Sequence, residues 1–264
     1  MAFIEENENG LVYMRSTAIG VRHAFTTRFG GVSEGIFATL NLGSNRGDDP
    51  EAVRENYRRV CALMGAGIDE AAVTKQVHGN VVRVVTEADR HECMSIVPYE
   101  ADGLVTDQRG LPLMCFTADC VPALLCDEGA GVIAAVHCGW RSSVGDILKN
   151  AVETMCALGA KKENICCALG PAIGSCCFET DDDVPAAVAA WLGGDTQGLF
   201  ARRGDGKTMV DLRGANRRRL LQLGLRAENV DVSAECTFCS HDKYWSHRYT
   251  KGQRGSQAAV IVLR

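Results

Sequence analysis

The sequence has no long apolar run, no excess of basic charge, no low-complexity tract and no Pro/Ser-rich linker. Its longest apolar stretches, such as residues 132–136, fall far short of the roughly 18 residues that cross a bilayer, so no membrane span is expected. With 28 basic against 33 acidic residues and a net charge of -5, it lacks the basic face that nucleic-acid and anionic-membrane binders carry, and neither partner is expected. The opening MAFIEENENG is acidic and has no apolar stretch behind a basic head, so a cytoplasmic location is expected. Only six histidines are present and none forms a His-x-His pair, which argues against a multicopper centre.

Cysteine is abundant instead. The thirteen are odd in number and sit in a chain of 264 residues without an export signal, so they read as thiols of a reducing compartment rather than a disulfide framework. Several lie in apolar runs (Cys115, Cys126, Cys166, Cys167), where cysteine serves as a small buried hydrophobe. The hydrophobic share of 46% is ample for a sizeable core, and one continuous domain over residues 1–264 is the simplest organisation.

Two helices stand out. In the first, Asp48 or Asp49 caps, Pro50 takes the first helical position, and Val53, Tyr57, Val60, Cys61 and Met64 form one stripe before Gly65. In the second, Ser142 or Ser143 caps a stripe of Val144, Ile147, Leu148, Ala151, Met155 and Leu158 that stops at Gly159. Weaker helical patterns cover 184–192 and 214–223. Short β-like runs occupy 73–77, 81–86, 111–116, 121–126, 131–137, 165–169, 230–234 and 257–263. Several are apolar on both faces and they do not alternate regularly with helices, which predicts an α+β fold with a mixed β-sheet covered by helices.

The most informative segment is TADCVPALLCDEGAGVIAAVHCGWR, two apolar strands around a turn-rich stretch, hence a β-hairpin. With residues 127–130 as the loop, Cys126 faces Gly131 and Cys120 faces His137. Facing residues have Cβ atoms about 4.5–5.5 Å apart, from which a thiolate and an imidazole can share one metal ion. His78, at the break in KQVHGNVV, is an available third ligand, although the sequence does not bring it to the hairpin. After His137 the chain enters the second helix through Cys138-Gly139-Trp140-Arg141, so Arg141 and free backbone N–H groups would favour a phosphate-sized anion there. A plain strand-to-helix turn accounts for the same residues.

In chain order, KQVHG, ADGLVTD, TADCVPALLCD, AAVHCGWR and LGPAIGSCCFE closely resemble the YfiH-type laccase-domain family. The likeness extends upstream through HAFTTRFGGVSEGIFATLNLGSNRGDDPEAVRENYRRV and downstream through DLRGANRRRLLQLG and CTFCSHDKYWSHRYTKGQRG, nearly the whole chain. The resemblance implies that His78, Cys120 and His137 are metal ligands and the catalytic centre; zinc is the expected metal, and copper, which generally outcompetes it at such ligands, could load in vitro. It implies phosphorolysis of adenosine, inosine and methylthioadenosine with adenosine deaminase activity, in a family earlier described as multicopper polyphenol oxidases. Purine nucleosides and phosphate would be the partners, in a monomer or homodimer. It also singles out Arg28, Asn41 and Arg248 as pocket residues. One departure is that Tyr249 and Ser256 stand where the family commonly has arginine, so no anion contact is expected from them.

A three-ligand zinc site keeps an open position for substrate or water, which separates catalytic from structural zinc. Asp102, Asp119 and Glu179 are candidate proton donors; strand alternation would turn Asp119 away from Cys120 unless TADC is a loop. The competing readings are a Cys120/His137 dyad for acyl transfer, a copper polyphenol oxidase, and a bracing metal completed by Cys138 or Cys177. The Cys236-x-x-Cys239 pair with His241 also invites a second zinc, but one CxxC without a matching pair is a weak signal.

Overall fold

The computed structural model describes residues 2–264. The N-terminal third carries strands β1 (Phe3–Glu8), β2 (Leu11–Ser16) and β3 (Arg22–Thr26), helix α1 (Pro50–Met64) and β4 (Val82–Val84). The middle carries β5 (Gly103–Thr106), β6 (Leu113–Thr117), β7 (Val121–Asp127), β8 (Val132–Cys138), α2 (Trp140–Val144), α3 (Ile147–Ala157) and β9 (Cys166–Leu169). Then follow β10 (Glu179–Thr180), α4 (Asp183–Trp191), β11 (Phe200–Arg202), β12 (Thr208–Val210), α5 (Leu212–Gln222), β13 (Val230–Val232), α6 (His247–Thr250) and β14 (Gln257–Val262).

The helix-covered mixed sheet is present, but a second large sheet packs against it. One sheet, ordered β1-β2-β3-β14-β6, is antiparallel; the other, ordered β13-β9-β7-β8-β5-β4, is mixed, with parallel pairs at both edges. Alternation along the strands explains why the runs are apolar on both faces. On β8, Ile133 and Ala135 point into the core between the sheets, while Val132, Ala134, Val136 and Cys138 join α3 in the outer core. On β14, Ala259 and Ile261 face inward, while Ala258, Val260 and Val262 meet α1. The result is four layers, helix on sheet on sheet on helix, with a small three-stranded sheet, β10-β12-β11, beside α4. Among the described residues no helix is long and apolar enough to cross a membrane.

Helix α1 forms as its signals predict. The Asp49 side chain accepts from the Glu51 N–H, Pro50 opens the helix, and Gly65 closes it in the left-handed conformation at φ 78°. The second expected helix divides in two. Ser142 and Ser143 lie inside α2 rather than capping it, and Asp146, at φ 67°, separates α2 from α3. Its carboxylate accepts from Arg219 Nε and Trp191 Nε1, both at 2.8 Å, so distant partners hold the break. The weaker patterns correspond to α4 and α5. The run at 73–77 is not a strand; residues 72 and 75 make only isolated bridges.

The hairpin is present with a different register. Cys126 pairs with Ile133 and Pro122 with His137, because Asp127 stays in β7 opposite Val132 and the loop is residues 128–131. Gly131 has φ 66°, a turn conformation, and the Asp127 carboxylate accepts from the Ala130 N–H at 3.0 Å, which fixes the loop's position. The shift is two residues in the pairing, so His137 keeps its face, but Cys120 lies just before β7 rather than opposite His137.

Candidate metal centre

One strand and two turns deliver the His/Cys/His set to one end of the sheet sandwich. His137 is near the end of β8, on the inner face. Cys120 follows Asp119, whose φ of 85° bends the TADC segment into a loop, and His78 sits at a turn with φ 59°. The three donor atoms lie within 4.8 Å of one another. Cys120 Sγ is 3.8 Å from His78 Nε2, and the two imidazole rings cross at 89° with centroids 4.7 Å apart. Gly139 makes this approach possible, since a Cβ there would stand 2.8 Å from His78 Cδ2.

Asp102 organises two of the three. Its buried carboxylate accepts the backbone N–H groups of Val77, His78 and Gly79 at 3.1, 3.0 and 2.8 Å, which shapes the His78 turn. The same carboxylate is 2.7 Å from His137 Nδ1; with that nitrogen protonated, Nε2 is turned toward Cys120. Burial opposes the Asp102 charge, but the hydrogen bonds from His137, Gly79 and Val77 hold its pKa below the ordinary carboxylate value. For Cys120, burial would raise the thiol, and the charge and hydrogen bonding of His137, with help from His78, instead bring it down. For His137 burial pulls the pKa down, and the charges of Cys120 and Asp102 carry it up. A thiolate beside hydrogen-bonded imidazoles is a donor set that suits zinc.

These residues open on a cavity of about 860 Å³, a size that holds a nucleoside. Phe116, Ile173 and Phe178 give it apolar wall, and Arg46, Arg248 and Arg254 give it a basic end beside His247, whose pKa burial and Arg254 push down. Burial, then repulsion from Arg46, lowers Arg254 to about 10, and its Nε has no partner. Sequence reasoning missed Arg46 and Arg254, because only the folded chain brings loops two hundred residues apart to one wall.

The other predicted site residues fall in different places. Arg248 lines the cavity, its backbone N–H bonded to Asp119 Oδ2 at 2.6 Å and its guanidinium to the Glu179 carbonyl at 3.0 Å. Arg28 does not: its guanidinium donates to the carbonyls of Ala38 and His241 and lies 4.0 Å over the Trp245 ring. Asn41 is fully buried and acts behind the wall, accepting from the Gly43 and Ser256 N–H groups at 2.7 and 2.9 Å. Arg141 is exposed on the five-residue α2, 4.3 Å over the Trp140 ring and outside the cavity lining.

None of the three carboxylates is a free proton donor. Asp102 is committed as above. Asp119 Oδ1 accepts from the Thr237 hydroxyl at 2.7 Å and Oδ2 from Arg248, and Glu179 pairs with Arg203 at 2.7 Å outside the cavity lining. Cys138 points into the outer core, and Cys177 belongs to another cluster, so neither completes the triad. His241 stacks on Tyr249 at 3.5 Å. Of the six histidines, only His78 and His137 share a donor cluster among the described residues.

The fold and the triad define a protein class: a mixed α/β sandwich with a His/Cys/His metal-type centre at the end of its inner core. The model of the multi-copper polyphenol oxidoreductase laccase family matches residues 22–264, and the chain belongs to that family. It is 42% identical over 255 residues to a purine nucleoside phosphorylase of Deinococcus radiodurans, covering 96% of this chain and 94% of that protein. It is 35% identical over 231 residues to an adenosine deaminase from an unknown prokaryotic organism, covering 85% and 87%. The crystal structure of YlmD from Geobacillus stearothermophilus superimposes with a TM-score of 0.92 at 32% identity, over the full length of both chains.

Proposed function

We infer that this protein is a purine nucleoside phosphorylase that also deaminates adenosine, with His78, Cys120 and His137 holding a zinc ion. The observation that carries the reading is that a metal-type donor set and a basic cluster open on the same nucleoside-sized cavity, in a chain 42% identical to a purine nucleoside phosphorylase. The core shared by the two large sheets supports one domain over the whole chain.

In phosphorolysis a phosphate oxygen bonds to C1′ of the ribose as the C1′–N bond breaks, and the departing base takes the electron pair and then a proton. Arg46, Arg248 and Arg254 supply the positive charge that would hold the phosphate. Phe116, Ile173 and Phe178 offer apolar contact to the purine. When bound, zinc supplies Lewis-acid charge that stabilises negative charge developing on the reacting groups. Asp102 keeps the His137 ring oriented, which holds the donor set in register.

Cys120, His137 and Asp102 also stand in the order of an acyl-transfer triad. The third donor, His78, is superfluous to that chemistry, and the relatives' names favour nucleosides over both the dyad hydrolase and the polyphenol oxidase. The deciding experiment is incubation of the purified enzyme with adenosine, with and without phosphate. Adenine with ribose 1-phosphate is expected only with phosphate, and inosine in either case. Formation of neither, in protein carrying zinc, would overturn the reading.

A further inference from the structure

The sequence motif Cys236-x-x-Cys239 found no partner in the first centre, yet it has one. Cys176 and Cys177, just before β10, meet it so that all four sulfurs lie within 4.8 Å of one another. Cys239 Sγ is 3.6 Å from Cys176 Sγ and 3.4 Å from Cys177 Sγ. A tetrahedral zinc with Zn–S bonds of about 2.3 Å places its sulfurs about 3.8 Å apart, so the cluster already approaches that spacing. His241, stacked on Tyr249, takes no part.

Three features suit a metal better than packing thiols or a disulfide. Cysteine is among the most buried residue types, yet Cys176 and Cys239 are exposed. The Gly174 N–H donates to Cys236 Sγ at 3.1 Å, a polar bond that favours a thiolate. The buried guanidinium of Arg213 lies within electrostatic reach of Cys236 and Cys176, and its positive charge would offset part of the excess negative charge of four thiolates around a divalent ion. A disulfide would join two of the sulfurs and leave the other two without a role.

We propose that Cys176, Cys177, Cys236 and Cys239 form a second, structural metal site with four cysteine ligands, selective for zinc-class ions and separate from the His/Cys/His centre. Four protein donors leave no open position, so the site braces rather than reacts. It ties a segment that walls the active cavity to a second segment that braces Asp119. Ile173 and Phe178 flank the cysteine pair on one segment, and Thr237 lies within the other. The Thr237 hydroxyl and the Ile173 N–H both bond Asp119, the neighbour of Cys120.

The test counts metal on reduced, gel-filtered protein. Wild type should hold two equivalents of zinc per chain, Cys120→Ala one, and Cys176→Ser or Cys239→Ser one. Cobalt(II) at the site left in Cys120→Ala should give the strong thiolate-to-metal absorption of a four-sulfur site, which Cys176→Ser should lack. One equivalent in wild type, unchanged in both serine variants, overturns the proposal without touching the nucleoside activity. Should a variant fail to fold, wild type decides: Cys176 and Cys239 should resist a thiol reagent until zinc is chelated. Immediate modification at full zinc content overturns the site.

Discussion

His78, Cys120 and His137 meet where strand ends and a tight turn face the cavity, and two of them depend on one buried carboxylate, Asp102. Cys176, Cys177, Cys236 and Cys239 meet beside the same cavity with two sulfurs exposed. Three donors with nitrogen among them leave a coordination position for a reactant; four thiols leave none. On the proposed reading the donor count gives chemistry to one cluster and rigidity to the other, although both contain cysteines that look alike in the sequence.

The largest expected contrast is in activity. His137→Ala should lower phosphorolysis by more than the roughly 10–100-fold that loss of an outer partner costs, while Cys176→Ser stays within about tenfold of wild type. Steady-state assays of both variants on adenosine and phosphate check this, and equal losses would erase the distinction. Next comes Asp102→Asn, which keeps the shape but no longer fixes the charged carboxylate against His137. A loss of roughly 10–100-fold in kcat or zinc affinity is expected, read by kinetics beside metal titration.

A smaller and more selective effect is expected at the basic end. Arg254→Ala should raise KM for phosphate about tenfold, as loss of one charge-assisted hydrogen bond predicts, and leave phosphate-independent conversion of adenosine to inosine unchanged. A matching loss in both reactions would place Arg254 outside the phosphate subsite. The smallest effect falls on the brace. Cys176→Ser should lower the melting temperature by a few degrees, about 2–4 °C for each kcal/mol in a chain of this size, and wild type stripped of its second zinc should match it. Calorimetry with and without chelator reads both.

Much of the fold was legible where the signals were local. Helix α1 begins at its Asp49 cap and ends at Gly65 as written, because cap, proline, stripe and glycine all act within a turn or two of chain. The hairpin was legible, but its register was off because Gly131 was assigned to a strand when its left-handed backbone belongs to the loop. The break at Asp146 was not legible, since Arg219 and Trp191 hold it from afar. Strands β1, β2 and β3 were missed, as were β5, β10, β11 and β12. In the site, Arg248 lines the cavity, while Arg28 turns its guanidinium to backbone carbonyls, Asn41 is held by the Gly43 and Ser256 N–H groups and by Asp48, and Arg141 lies outside.

By itself the sequence determined residue chemistry and local geometry: which side chains can bind a metal, where α1 starts and stops, and which strands are apolar on both faces. Through motif resemblance it also pointed to the family and its nucleoside substrates. Only the tertiary structure decided what meets what. It joined His78 to the hairpin through Asp102, gathered Arg46 and Arg254 on one wall, and brought Cys176 and Cys177 to Cys236 and Cys239. The physical reason is range. Caps, turns and alternation act over a few residues, whereas a shared ion or a cavity wall depends on how separate segments pack around a common core.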